Sequence, residues 1–97
     1  MMPEPDEHAV IAGMWKSARP RLLARVEALE AAVAAGLAQP EREHALTQAH
    51  TLVGTLGSFG HPEASHAARD AEHALEAGDG DAVRAAAAKL RAAIAAD

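Results

Sequence analysis

Alanine constrains this chain more than any other feature: it fills 27 of the 97 positions. It is the best helix former and a poor strand former, so the chain is read as all-α. Hydrophobic residues make up 49% of the sequence, but only 21 of them are larger than alanine. A core built from so few large side chains is thin, and the helices around it must approach closely. The length suits one domain with one modest core, and residues 1–97 are read as a single unit.

Composition removes several classes of function. The absence of cysteine excludes a disulfide framework, cysteine-based zinc sites and a thiol nucleophile. The formal net charge is -5 and no cluster of Lys or Arg occurs, which argues against nucleic acid or an anionic membrane as a partner. No apolar run approaches the ~18 residues that span a bilayer. The segment Met1 to His8 is acidic and carries two prolines, unlike a secretory signal. The expectation is a cytoplasmic, free-standing module.

Breaker residues divide the chain. A first helix is expected from about Pro5 to Ser17, with Val10, Ile11, Met14 and Trp15 on one side. Pro20 suits the first turn of a second helix ending near Gly36, with Leu22, Val26, Leu29 and Val33 as its buried stripe. A third helix runs from Pro40 to about Ser58, with Ala45, Ala49, Leu52, Leu56 and Phe59 inward. The fourth, from Pro62 to Gly78, presents Ala64, Ala67, Ala68, Ala71 and Leu75. Asp79 or Asp81 caps the fifth, whose stripe is Val83, Ala87, Leu90 and Ile94. Short connections make sequential helices antiparallel neighbours. The expected fold is an antiparallel up-down four-helix bundle with a short additional N-terminal helix across one end.

The third helix carries an anomaly. At about 100° per residue, Gly54 and Gly57 lie within about 40° of His50, while the apolar centre sits a quarter turn or more away. Glycine inside a helix costs about 1 kcal/mol relative to alanine, and this chain uses alanine almost everywhere else. Two explanations stand open. The glycines clear space for a partner's backbone or a phosphoryl group beside the imidazole, or they let another helix of the same bundle pack closely.

The segment Ala49-His50-Thr51-Leu52-Val53-Gly54-Thr55-Leu56-Gly57-Ser58-Phe59-Gly60, with Pro62-Glu63 and Ala68-Arg69 after it, resembles the signature of histidine-containing phosphotransfer (HPt) domains. His50, Leu52, Gly54, Phe59 and Gly60 match the family pattern, and Gly57 and Pro62 resemble one bacterial variety. The resemblance implies that His50 is phosphorylated and passes its phosphoryl group along a two-component phosphorelay. It implies a response-regulator receiver domain and/or a sensor histidine kinase as partners, docking over Gly54 and Gly57 with Leu46 and Val53 in the contact. A neutral ring nitrogen of His50 is the expected nucleophile. In-line phosphoryl transfer is mainly positioning and charge neutralisation, and the receiver supplies the Mg²⁺ site and a Lys. The expectation is therefore a monomeric phosphoryl carrier without its own cofactor, not an autonomous enzyme.

The chain departs from the family at one place. Many members carry Lys three residues after the histidine, where Val53 stands here; some carry it one residue after, where Thr51 stands. A cation from the second helix, or the hydroxyl of Thr47 or Thr51, is the expected substitute. The competing reading is a degenerate HPt domain, kept as a docking or dimerisation module without transfer. A metal site on His66, Asp70 and His73 is disfavoured, because Arg69, Glu72 and Glu76 crowd that surface and no other helix offers a ligand.

Overall fold

The computed structural model describes residues 7–96, and these form four helices. They are α1 (Glu7–Ala34), α2 (Glu41–Ser58), α3 (Pro62–Ala77) and α4 (Gly80–Ala95). Each helix packs against its neighbours in sequence, and α1 packs against α4, which closes a helical bundle. The last three start within two residues of where they are expected, and α2 and α3 also end there.

The start of the chain corrects the sequence reading. Where two helices are expected, one 28-residue helix runs through Pro20, so no separate N-terminal helix stands among the described residues. The expected start at Pro5 lies outside the described residues. Proline in a helix interior removes the bond to the carbonyl four residues back. Here that carbonyl belongs to Lys16, and both Lys16 and Pro20 are exposed, so water can satisfy it. Trp15 and Ala18 before the proline, and Leu22, Val26, Leu29 and Ala32 after it, form one buried stripe. That continuous burial offsets the proline's cost. Ala32 takes the inner place expected of Val33, which is half-buried at the stripe's edge.

The core meets the alanine expectation directly. Ala45, Ala49, Leu52 and Leu56 of α2 are fully buried against Ala68, Ala71 and Leu75 of α3 and Val83, Leu90 and Ile94 of α4. Phe59 is half-buried, its ring edge-on to Trp15 at 5.3 Å. His61 stacks on Trp15 at 4.0 Å, so three rings close this end of the bundle.

Polar groups tie the helix ends together. Gly60 (φ 80°) and Gly78 (φ 73°) take the left-handed conformation that turns the chain out of α2 and α3. The His61 N–H then donates to Leu56 and the Asp79 N–H to Ala74. Asp79 caps α4 by accepting from the Ala82 N–H at 3.1 Å. Two arginine forks complete the C-termini. Arg42 donates to the carbonyls of Leu75 and Glu76, both at 2.9 Å. Arg19 donates to those of Ile94 at 2.9 Å and Ala96 at 3.3 Å. Because Arg19 lies level with the end of α4, the first turns of α1 run past it, leaving Val10, Ile11 and Met14 exposed. No helix is long and apolar enough to cross a membrane among the described residues.

Candidate functional site

The edges of α2 meet different helices. One edge faces α1, where Arg25 donates to the Gln48 amide oxygen. The other faces α3, where buried Ser65 donates to the Val53 carbonyl at 2.7 Å. That bond gives the polar residue in the alanine face of α3 its reason, since it satisfies a hydroxyl that would otherwise be buried unpaired. It also fixes the register of the two helices beside His50.

His50 stands on the α3 side of the outer face with 80% of its side chain exposed. Its Nδ1 lies 3.0 Å from Oε2 of Glu72, which is 22% exposed. A carboxylate only accepts, so the Nδ1 of a neutral ring facing it carries the proton and Nε2 keeps the lone pair. Glu72 thus fixes both the tautomer and the orientation of an otherwise open side chain. The carboxylate also favours any positive charge that develops on the ring.

The glycines have no packing reason inside the bundle. A Cβ built on Gly54 meets nothing within 4 Å, and one built on Gly57 meets only the Ser65 hydroxyl at 3.8 Å, an ordinary contact. Both are exposed. The strip beside His50 is open on its outer side, so close packing of another helix of the bundle does not account for the glycines.

Val53 and Leu46 flank the strip and are half-buried, packed against the core cluster. No cation of α2 adjoins His50: Arg42, the helix's one basic residue, is bound to the end of α3. The Thr47 hydroxyl donates to the Glu43 carbonyl at 3.3 Å, and Thr51 is half-buried. His66, Asp70 and His73 lie exposed on α3, and no group of three His, Asp or Glu residues is gathered to hold a metal among the described residues.

Sequence reasoning placed Glu72 only among the residues of a polar surface. The signal that finds it is reflection about the turn. His50 and Glu72 lie ten residues before and twelve after Gly60, and Val53 and Ser65 seven before and five after. A tight turn at Gly60 brings both pairs level.

The described residues thus form an all-helical bundle with an exposed, carboxylate-held histidine on an open glycine strip. The Hpt domain family model matches residues 14–96, and the chain belongs to that family. Its members carry phosphoryl groups on histidine in phosphorelays, working with receiver domains and histidine kinases. Searches of curated proteins and of solved structures gave no match.

Proposed function

We propose that this chain accepts and donates a phosphoryl group on His50 as a carrier between a receiver domain and a histidine kinase or second receiver. The observation that carries the reading is the His50–Glu72 pair: Nδ1 is engaged at 3.0 Å while the ring is 80% exposed, which leaves Nε2 free.

The step balances simply. The Nε2 lone pair attacks the phosphorus of a receiver's aspartyl phosphate. A P–N bond forms, the P–O bond to the aspartate breaks, and the aspartate leaves as a carboxylate. The Nδ1 proton stays on the ring, which becomes an imidazolium balanced by Glu72. The return transfer reverses each event. Mg²⁺ and a Lys on the receiver side neutralise the phosphoryl oxygens, so this chain brings no cofactor. Gly54 and Gly57 admit the receiver's backbone, and the half-buried Leu46 and Val53 supply apolar contact at the margin. The helices alternate in direction, up and down; the cross-links from Arg42 to the end of α3 and from Arg19 to the end of α4 support this order. The protein acts as a cytoplasmic monomer.

The test is to incubate wild type and His50→Gln with a panel of phosphorylated receivers and follow the label. Wild type should take up acid-labile phosphate. His50→Gln should take up none while keeping its helicity and melting temperature, because the ring is exposed. Val53 favours one alternative, a degenerate domain that docks without transfer; a wild type inert with every receiver but still binding one would establish it.

A further inference from the structure

We infer that Arg69 of α3 is the cation that neutralises the phosphoryl group on His50, in the role a lysine at position 53 would otherwise fill. The inference deepens the carrier reading and rests on His50 as the phosphorylated residue.

The chain has nine Lys and Arg residues, and most are committed or misplaced. Arg19 and Arg42 bind the ends of α4 and α3, Arg84 pairs with Asp81, and Arg91 pairs with Glu30. Arg25 is held by Gln48 on the α1 edge of α2, the edge away from His50. Lys16 and Arg21 belong to α1, which meets α2 along that same edge, and Lys89 belongs to α4, which meets α1 and α3. Arg69 alone stands on the helix that adjoins α2 on the histidine side.

Its height along α3 is fixed by two cross-links. Ser65, bonded to the Val53 carbonyl, is four residues before it, and Glu72, bonded to His50, is three residues after it. Arg69 therefore lies about 4.5 Å along the axis from Glu72 and about 40–60° around it from both residues, turned outward. That places it at the lip of the α2–α3 groove, between the levels of His50 and Val53. Arg69 is exposed and makes no hydrogen bond or ion pair among the described residues, so its guanidinium is uncommitted. A guanidinium offers a planar fork of donors suited to phosphoryl oxygens. Glu72 completes the division of labour: the carboxylate balances the ring and the arginine balances the group on it.

Phosphoramidate phosphorylates exposed histidine without any protein partner, so this inference can be tested apart from the relay. The protein is phosphorylated chemically, the His50 resonance is assigned in ³¹P NMR by its loss in His50→Gln, and the phosphoryl group is titrated. A nearby cation favours the dianion and holds its second ionisation at lower pH. Arg69→Ala should therefore raise that ionisation by up to about 0.7 pH unit, a fivefold change at most, as for a partly exposed ion pair. Arg69→Lys should keep most of the effect, and Val53→Lys placed in Arg69→Ala should restore it. The melting temperature should not move. An Arg69→Ala protein that titrates like wild type, or an Arg69→Lys protein that titrates like Arg69→Ala, overturns the inference. A wild type that no receiver phosphorylates, but whose chemically phosphorylated form shows the Arg69 shift, removes the relay reading and leaves this inference standing.

Discussion

Small residues do opposite work on the two helices that form the site. On α3, Ala68 and Ala71 are fully buried, and their small volume lets the helices close around a thin core. On α2, Gly54 and Gly57 face outward, and their missing side chains bring nothing in the bundle nearer. In the first case the missing volume lets the protein touch itself, and in the second it leaves the surface beside His50 open. Helix propensity separates them as well. Alanine serves the helix wherever it stands, whereas an outward glycine weakens it with no return in stability. An uncompensated cost next to a histidine points to function more clearly than the histidine does.

Adding side chains to both helices should break or sharpen this contrast. The largest effect is expected inside: Ala71→Leu forces extra volume into a closed interface and should lower stability by about 1–3 kcal/mol, measured by urea unfolding. Gly54→Leu should do the reverse, stabilising the protein by up to about 1 kcal/mol while blocking phosphoryl exchange with a receiver. Equal destabilisation by the two substitutions would erase the distinction between the faces. A Gly54→Leu protein that exchanges phosphoryl as fast as wild type would sink the clearance argument.

Glu72→Ala should slow phosphoryl uptake about two- to tenfold, the range for losing one hydrogen bond of about 0.5–1.5 kcal/mol. Ring ¹⁵N shifts should report the proton moving off Nδ1 in part of the population. Unchanged ring shifts would show that the 3.0 Å contact does not set the tautomer. The smallest effect belongs to Val53→Lys in the wild-type background, where a cation already adjoins the site on the Arg69 inference. Phosphohistidine occupancy should rise by less than about fivefold, the ceiling for a partly exposed pair. A Val53→Lys protein that gains transfer where wild type has none would mark the natural chain as degenerate.

Much of this architecture is legible in the sequence. Proline and glycine mark the ends of α2 and α3, an aspartate marks the start of α4, and the stripes through Leu52, Leu75 and Leu90 identify their buried faces. Breaker rules failed at Pro20 because they weigh the lost hydrogen bond and not the burial on either side. Trp15 and Leu22 sit in one stripe, and tertiary packing carried the helix through. The histidine and its glycines were visible because they lie within one helix, where spacing alone gives geometry. Glu72, Ser65 and Arg69 were not, since their relation to His50 depends on the register between helices. That register is set by a turn whose length the sequence suggests but whose pairing appears only in cross-links such as Ser65–Val53 and His50–Glu72.

The central claim is that Glu72 holds Nδ1 of His50 and so presents Nε2 as the reacting atom. Phosphorylating ¹⁵N-histidine-labelled protein from a receiver and measuring one-bond ¹⁵N–³¹P coupling locates the phosphoryl group directly. The account predicts coupling at Nε2 of His50 alone, with Nδ1 still protonated. Coupling at Nδ1, or at any other histidine, would contradict it.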